Sequence, residues 1–262
     1  MFKAIWMSDL HFVAEGDVLG HDPRIRLRAA IDFINHHHDD ADVCIISGDM
    51  VDRATQTDYA ALAVLLAELR IPVLPMVGNH DDRALFCAAL PLPPKVMADF
   101  VQYALPTSEG VILCLDTLKT GSDGGELCAT RLDWLRARLK QAHNRPVYVF
   151  LHHPPMLLGL PMQDQPPMEG AEDLLSILGD YSGAKHLFAG HVHRPISGTV
   201  QGIPFAALPS VLYQAPAPRP GWDWESFTPA MEAPALGVLT MSDGYLGLQY
   251  TQFCHHGLGV DK

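Results

Sequence analysis

Five short polar segments lie along the first three quarters of the chain, and four of them directly follow an apolar run that predicts a β-strand. In chain order they are Asp9-Leu10-His11, Gly48-Asp49, Gly78-Asn79-His80-Asp81, His152-His153 and Gly190-His191-Val192-His193. The carboxyl ends of parallel strands converge on one edge of a sheet, so residues far apart in the sequence can meet there. The pattern therefore predicts a layered fold that carries one polar site at a sheet edge.

Apolar runs and helical periodicity alternate over the same part of the chain. Strands are predicted at 2–7, 42–47, 73–77, 111–115, 147–151 and 186–189, and helices at 24–35, 57–69, 129–139 and 171–178. This alternation indicates an α/β fold with a parallel sheet and helices on its faces. Beyond the last polar segment, the short runs at 196–200, 204–206, 237–241 and 247–250 have the style of antiparallel strands.

A proline- and aromatic-rich segment interrupts the second half of the chain at 209–235. It is too long for a simple turn, and such loops often form functional lips, interfaces or mobile elements. Trp222 and Trp224 lie in it. Packing in the core or at a subunit interface and contact with a substrate both stay open. We find no linker or repeat, so we predict that 1–262 form one domain with this segment as a lip.

Composition excludes several classes of protein. The chain has 18 basic and 30 acidic residues and a net charge of −12, which argues against binding a nucleic-acid polymer. Its five cysteines form no CxxC pair, which indicates a reducing compartment rather than a disulfide framework. No apolar run reaches membrane-spanning length, and the first polar segment follows too early for a signal peptide. We expect a cytoplasmic protein that has no membrane partner.

The five polar segments carry carboxylate, imidazole and amide groups, which suit Mn²⁺, Fe²⁺, Zn²⁺ or Co²⁺ better than a thiolate site would. Each segment alone has an ordinary explanation, such as a turn at Gly48-Asp49. Their joint position at strand ends favours a metal site. His36-His37-His38 and His255-His256 are expected in solvent, and His153 is expected to support a neighbouring ligand rather than bind metal itself.

The order D-x-H, G-D, G-N-H-[DE], H, G-H-x-H over residues 1 to about 210 resembles the calcineurin-like metallophosphoesterases. Within that superfamily, the runs 78–82, 151–155 and 189–193 are most similar to the class III cyclic nucleotide phosphodiesterases and the bacterial glycerophosphodiesterases. The resemblance implies a four-layer αββα sandwich in which two sheets lie face to face. It also implies two divalent metal ions per chain and assembly into dimers or larger homo-oligomers.

The same resemblance assigns a role to individual positions. One metal would be held by Asp9, His11 and His193, and the other by Asn79, His152 and His191. Asp49 would bridge the two metals.

The resemblance also places residues beside the substrate. Asn79 would balance charge on the phosphoryl oxygens, and His80 would face the substrate and stabilise or protonate the leaving oxygen. Asp81 would orient His80 or a neighbouring ligand. Near the position of Tyr213 the relatives of the glycerophosphodiesterase group carry a histidine, which leaves substrate preference open.

The implied activity is hydrolysis of small phosphodiesters, either cyclic nucleotides or glycerophosphodiesters, by attack of a metal-bound hydroxide. Alternatives are a phosphomonoesterase or a nuclease of the same superfamily. The acidic balance weighs against the nuclease. A non-catalytic scaffold is a further alternative, but the chain fills every expected ligand position and also has His80.

Overall fold

The computed structural model describes residues 1–94, 96–219 and 223–254. These residues form five helices: α1 (Pro23–His37), α2 (Gln56–Leu66), α3 (Arg83–Ala89), α4 (Ala129–Ala142) and α5 (Ala171–Asp180). They also form strands β1 (Phe2–Met7), β2 (Val43–Ile46), β3 (Val73–Pro75), β4 (Tyr103–Pro106), β5 (Val111–Cys114), β6 (Val147–Leu151), β7 (Lys185–Ala189), β8 (Ile196–Val200), β9 (Ile203–Ala207), β10 (Ala235–Ser242) and β11 (Tyr245–Gln252).

The strands form two sheets. The first has the order β11-β10-β1-β2-β3, and the second has the order β4-β5-β6-β7-β9-β8. In both sheets the central strands are parallel: β1 with β2 and β3, and β5 with β6 and β7. The later strands add antiparallel pairs, β8 with β9 and β10 with β11. The predicted α/β alternation and the antiparallel style of the last strands are both confirmed.

Aromatic side chains pack the two sheets face to face. The Trp6 ring on β1 lies 5.7 Å from the Phe150 ring on β6 and 5.3 Å from the Phe188 ring on β7. Edge-to-face contacts of this kind add to the free energy gained by burying the rings. Because alternate residues of a strand point to opposite faces, Val149 and Leu151 face the other way. They join a second buried cluster with residues of α4 and α5.

The layers therefore follow the order α1–α3, first sheet, second sheet, α4–α5. Leu27 of α1, Tyr59 of α2 and Phe86 of α3 belong to the cluster that contains the first sheet. Leu132 of α4 and Leu174 of α5 belong to the cluster on the far side of the second sheet. This is the αββα sandwich that the family resemblance implies.

Two elements were not expected from the sequence. Helix α3 has only seven residues, too few to show a clear period, and begins at the side-chain cap of Asp82, which accepts from the Leu85 amide. Strand β4 has four residues and pairs with β5 alone at the edge of the second sheet. Neither has a long buried run, so hydrophobic periodicity could not reveal them.

The lip segment 209–235 contains no helix, and no strand before Ala235, within its described residues. Its first turn is tied to the first polar segment, since the Ser210 hydroxyl donates to the Asp9 carbonyl at 2.8 Å and the Val211 amide donates to the Ser8 carbonyl at 3.0 Å. The predicted lip residue Trp222, like His255 and His256, lies outside the described residues.

Candidate metal centre

All five polar segments meet at one edge of the two sheets. Asp9 and His11 follow β1, Asp49 follows β2, and Asn79 with His80 follows β3. His152 follows β6, and His191 with His193 follows β7. The first sheet thus supplies the carboxylates and the amide, and the second supplies three imidazoles. The crevice exists only because the two sheets are packed against each other.

The backbone turns sharply at most of these positions. The φ angle is +55° at Asp9, +41° at His11 and +48° at Asp49. It is +70° at His191 and +51° at His193. Non-glycine residues rarely adopt positive φ, and such conformations persist where the surrounding structure enforces them, often at functional sites. The side chains of Asp9 and His11 therefore point into the same crevice because the backbone turns here, and not because alternate residues of a regular strand share a face.

Two glycines allow the segments to approach each other closely. Gly48 has φ +105°, and a Cβ atom placed on it would lie 2.5 Å from His152 Nδ1. A Cβ on Gly78 would collide with the Asp49 carboxylate. The glycines before Asp49 and Asn79 are thus required because side chains of the crevice occupy the space beside them.

The first ligand group contains Asp9, His11 and His193, which lie within ligand distance of one another. The Nε2 atoms of His11 and His193 are 3.0 Å apart, and His193 Nε2 lies 3.3 Å from an oxygen of Asp9. On its other side, the His193 ring donates from Nδ1 to the Tyr213 carbonyl at 2.9 Å. That bond orients the ring and leaves Nε2 directed into the crevice.

The second group contains Asn79, His152 and His191. The Asn79 amide oxygen lies 3.1 Å from His152 Nε2 and 3.1 Å from His191 Nδ1. The His152 ring donates from Nδ1 to the Ser47 carbonyl at 2.8 Å. Ser47 is in turn held by the buried indole of Trp6, whose Nε1 donates to the Ser47 hydroxyl at 2.9 Å. The aromatic contact between the sheets and the orientation of His152 are therefore coupled.

Asp49 lies between the two groups. One of its oxygens, Oδ2, is 3.6 Å from His11 Nε2 and 3.2 Å from His152 Nε2. The other oxygen accepts a hydrogen bond from the His80 amide at 2.9 Å. The carboxylate is almost fully buried, with a side-chain exposure of 2%. One side chain is therefore shared by the two convergent groups.

The buried charges shift the titration of this crevice. Burial alone would raise the pKa of Asp9, but His193 and His152 lower it to about 2. Burial lowers the pKa of His152, yet the neighbouring Asp49 raises it to about 9 overall. Burial and the nearby His152 lower the pKa of His191 to about 4. Asp9 is therefore ionised near neutral pH, and His191 is neutral.

His80 lies at the mouth of the crevice with 37% of its side chain exposed. Its Nδ1 donates to the Asp52 carbonyl at 2.9 Å, which leaves Nε2 free to face a bound molecule. Burial lowers the pKa of His80, but Asp49 and the Asp52 carbonyl outweigh this effect and raise it. The ring therefore keeps a proton more readily than an ordinary histidine and is suited to donate it.

Asp52 is a residue that the sequence analysis missed. Its carboxylate lies 3.3 Å from His11 Nδ1 and 3.9 Å from His80 Nδ1, so it contacts one member of the first ligand group and the exposed histidine at once. The available signal was its place in Gly48-Asp49-Met50-Val51-Asp52, three residues after Asp49 and in the same turn. A carboxylate there sets the orientation and basicity of both rings.

Asp81 forms hydrogen bonds to two backbone amides and one hydroxyl, and it forms no hydrogen bond or ion pair with the His80 ring. It accepts from the Gly78 amide at 2.8 Å, from the Met50 amide at 3.1 Å and from the Tyr59 hydroxyl at 2.8 Å. Burial, with a smaller contribution from Asp49, raises the pKa of Asp81 to about 7. It therefore ties the turns that carry Asn79 and Asp49 together, as expected of a residue that orients neighbouring ligands.

His153 lies closer to the site than an alternating strand would place it. Its Nδ1 is 2.8 Å from the Thr117 hydroxyl, and its ring centroid is 4.8 Å from that of His191. It also falls within ligand distance of His152 and His191. Tyr213, the position where a histidine was expected in relatives, packs its ring 4.5 Å from His193 and 5.5 Å from His11.

The donor set fits divalent cations. A carbonyl oxygen can only accept, so His193 and His152 each present Nε2 to the crevice. Where the Nε2 atoms of His11 and His193 face each other at 3.0 Å, two lone pairs would repel unless a proton or a cation lay between them. Buried carboxylates and imidazoles together are the ligands that Mn²⁺, Fe²⁺, Zn²⁺ and Co²⁺ prefer.

Comparison with known proteins agrees with this geometry. Residues 2–195 match the family model described as calcineurin-like phosphoesterase. The chain belongs to the calcineurin-like phosphoesterase family. It is thus a hydrolase of a metallophosphoesterase family, which implies that the candidate groups serve divalent metal ions.

Three similar proteins illustrate the relationship. A probable cyclic nucleotide phosphodiesterase of Rhodopseudomonas palustris is 38% identical over 216 residues, covering 81% of this chain and 79% of that protein. A glycerophosphodiester phosphodiesterase of Enterobacter lignolyticus is 30% identical over 215 residues, covering 80% and 77%. A dimetal phosphatase from Danio rerio has a TM-score of 0.70 at 16% identity and covers 97% of each chain, which supports the fold.

Among the residues that the structure describes, no helix combines the length and the apolar composition needed to cross a membrane.

Proposed function

We propose that this phosphoesterase hydrolyses small phosphodiesters with the help of two divalent metal ions. The observation that carries the proposal is the position of Asp49, whose Oδ2 lies 3.6 Å from His11 Nε2 and 3.2 Å from His152 Nε2. A carboxylate shared by two convergent ligand groups is the arrangement that a pair of neighbouring cations requires. Relatives named as cyclic nucleotide and glycerophosphodiester phosphodiesterases suggest the substrate class.

In this proposal one ion is held by Asp9, His11 and His193. The other is held by Asn79, His152 and His191, and Asp49 is shared. Mn²⁺, Fe²⁺, Zn²⁺ and Co²⁺ all suit these nitrogen and oxygen donors. When bound, the ions supply positive charge beside the phosphoryl oxygens and make a water molecule acidic enough to act as the nucleophile near neutral pH.

The chain's own groups position the substrate and move the proton. The amide of Asn79, a member of the second group, would donate from its nitrogen to a phosphoryl oxygen while its oxygen faces His152 and His191. The free Nε2 of His80 would protonate the leaving oxygen, since its pKa is raised and its Nδ1 is held by the Asp52 carbonyl. Such general-acid assistance contributes roughly 10²–10⁴-fold in rate.

The lining of the cleft favours a diester over a monoester. The described residues around it include histidines, amides, carboxylates and aromatic rings, but no lysine or arginine. A phosphodiester carries one negative charge, whereas a monoester near neutral pH carries nearly two. A polymer or a second phosphate would bring further charge that this lining does not balance. We therefore favour a small diester that has one phosphate and neutral arms.

The experiment compares two nitrophenyl esters on protein that has been stripped of metal and refilled with Mn²⁺. We expect bis(p-nitrophenyl) phosphate to be hydrolysed with a kcat/KM at least about 10-fold above that for p-nitrophenyl phosphate, because the described lining adds no lysine or arginine to hold the second negative charge of the monoester. Preference for the monoester would assign a phosphatase. Absence of turnover with each of the four metals would make the scaffold alternative the better reading.

The setting of the enzyme is part of the same proposal. The five cysteines are free, and Cys87 is exposed, which suits a reducing cytoplasm. We propose that residues 1–262 form one domain, with 209–235 as a lip, and that the chain acts as a homo-oligomer of two or more copies without nucleic-acid or membrane partners. Sedimentation at micromolar concentration tests the oligomer, and a monomer throughout would refute it.

A further inference from the structure

A row of aromatic rings runs from the metal centre to the surface. The Tyr213 ring lies 4.5 Å from the His193 ring, the Phe227 ring lies 6.1 Å from Tyr213, and the Trp224 ring lies 5.4 Å from Phe227. We call Tyr213, Phe227 and Trp224 the aromatic row. Tyr213 is half-buried, and 63% of Trp224 is exposed. An exposed tryptophan at the end of such a row leaves an aromatic surface available to a ligand.

The aromatic row forms part of the wall of the catalytic cleft. This cleft has a volume of about 410 Å³, and the row lines it together with His80 and the ligand histidines. Pockets for small ligands and cofactors have volumes of roughly 300–1,000 Å³. The cleft is therefore large enough for a phosphodiester that has one bulky arm.

Polar groups on another segment complete the wall. Gln163 and Gln165 line the same cleft, and neither side-chain amide has a hydrogen-bond partner in the described part of the chain. Asp164, between them, accepts from the Leu158 amide at 2.9 Å and the Leu160 amide at 2.8 Å. The loop is thus held by Asp164, while the two neighbouring amides remain available to a ligand.

The aromatic row and the glutamine pair lie next to different ligand groups. The aromatic row begins at His193, which is in the first group. Gln163 lies with His191, of the second group, where both also line an adjoining cavity of about 100 Å³. A molecule whose phosphate lies between the groups would therefore have an aromatic surface on one flank and free amides on the other.

We propose that the aromatic row and the pair Gln163 and Gln165 select a diester that carries a nucleobase. The row offers a stacking surface to the planar base, and the glutamine amides offer donors and acceptors to polar atoms of the nucleoside. This inference rests on the proposed phosphodiesterase function and adds the substrate arm and the residues that select it. A glycerol arm has no π face and gains nothing from the aromatic row, whereas every base can stack on an aromatic side chain.

Binding of two product-like phosphates to the Mn²⁺-loaded protein tests the proposal without turnover. Adenosine 5′-monophosphate and ribose 5-phosphate share the sugar and the phosphate, and only the first carries a base. By calorimetry we expect the nucleotide to bind on the order of 10-fold tighter, from stacking on one or two rings. The Trp224→Ala variant should lose most of that ratio, and Trp224→Phe should retain most of it.

Met231→Ala is the matched control. Met231 lies in the same segment and is 82% exposed, but it does not line the cleft. Its substitution should leave the binding ratio unchanged. In turnover of 3′,5′-cyclic adenosine monophosphate, Trp224→Ala should raise KM and spare kcat, because the ring touches the base and not the reacting atoms.

Several outcomes would overturn the inference. Equal affinity of the wild-type protein for the two phosphates would do so, as would a ratio unchanged in both Trp224→Ala and Phe227→Ala. These results are separable from failure of the proposed function. A protein that hydrolyses bis(p-nitrophenyl) phosphate but does not discriminate between the two phosphates keeps the function and loses the aromatic row as a selector.

Discussion

The metal crevice and the aromatic row are neighbours that are built in opposite ways. In the crevice, Asp9 and His152 are fully buried, and the histidine is oriented by a backbone carbonyl. Exposure rises along the row from half-buried Tyr213 to Trp224, and the rings are connected by contacts with one another. Reactive groups stand on the ends of packed strands, while selective groups stand on a segment without regular structure. A rigid scaffold can thus keep its chemistry while the loop changes the substrate.

The two regions also differ in charge. The crevice gathers Asp9, Asp49 and the ligand histidines, and its chemistry depends on ions and protons. The row contributes only aromatic surface. Substitutions in the crevice should therefore act on turnover and ion binding, and those in the row on the choice of substrate.

The largest effect is expected from Asp49→Ala. The change removes the carboxylate whose Oδ2 lies 3.6 Å from His11 Nε2 and 3.2 Å from His152 Nε2. We expect kcat for bis(p-nitrophenyl) phosphate to fall by more than about 10³-fold, because charge stabilisation at the phosphoryl group is lost together with an ion. Metal analysis after gel filtration should show at most one tightly bound ion.

Asp32→Ala, on the exposed face of α1, is the control for that variant and should retain full activity and metal content. Two tightly bound ions and near-normal turnover in Asp49→Ala would show that the two ligand groups act separately.

His80→Ala should produce the next largest effect, and the effect should depend on the leaving group. For a diester with a poor leaving group, kcat should fall roughly 10²–10⁴-fold, since the raised pKa of His80 lets it supply a proton that an alkoxide needs. For bis(p-nitrophenyl) phosphate the loss should be much smaller, because nitrophenolate leaves without a proton. Equal losses on both substrates would remove the general-acid role. His37→Ala, which changes an exposed histidine of α1, is the control and should leave kcat for both substrates unchanged.

Asp52→Asn should have a moderate effect. The amide keeps the shape of the side chain and the backbone carbonyl that holds His80, but it removes the charge 3.3 Å from His11 Nδ1. Losses of about 10–100-fold in ion affinity or kcat are usual when a group that orients a ligand is changed. Ion affinity is measured by calorimetry and kcat by steady-state kinetics. Asp17→Asn, at an exposed loop position, should have no such effect, and an unchanged Asp52→Asn would make this carboxylate dispensable.

The smallest effect for a single step, here one pH unit, is a graded dependence of ion affinity on pH. In the ion-free protein, Asp49 raises the pKa of His152 to about 9, so the ring holds a proton at neutral pH. A cation must displace that proton, and affinity should therefore rise with pH by up to about 10-fold per unit below pH 9. Asp9, whose pKa is lowered to about 2, should add nothing above pH 4.

Competition with a chelator at pH 6, 7 and 8 measures this dependence once the chelator's own titration is subtracted. An affinity that does not change with pH would mean that His152 binds the ion without releasing a proton.

Much of the fold followed from local patterns. Strand β6 was predicted with its observed bounds because five apolar residues stand between clear polar boundaries. The strands that precede Asp9, Asp49, Asn79 and His191 were predicted for the same reason. The short helix α3 and the edge strand β4 were missed, because one turn or four residues show no period.

The candidate site also contains residues that were predicted from the sequence and residues that were missed. The structure brings together every residue that was predicted to bind a metal. It also places Asp52 there, which the sequence left unnoticed because its role depends on distances to two histidines contributed by other turns. The approach of His153 to His191 was likewise missed, since it arises after the strand has ended.

By itself, the sequence determined which side chains can bind ions, the strands they follow and the family to which the chain belongs. These depend on residue type and short-range periodicity, which survive without knowledge of the fold. Only the tertiary structure decided that Trp6 supports His152 through Ser47 and that an aromatic row leads outward from His193. The reason is physical: such relations are distances between segments, and packing two sheets face to face sets them.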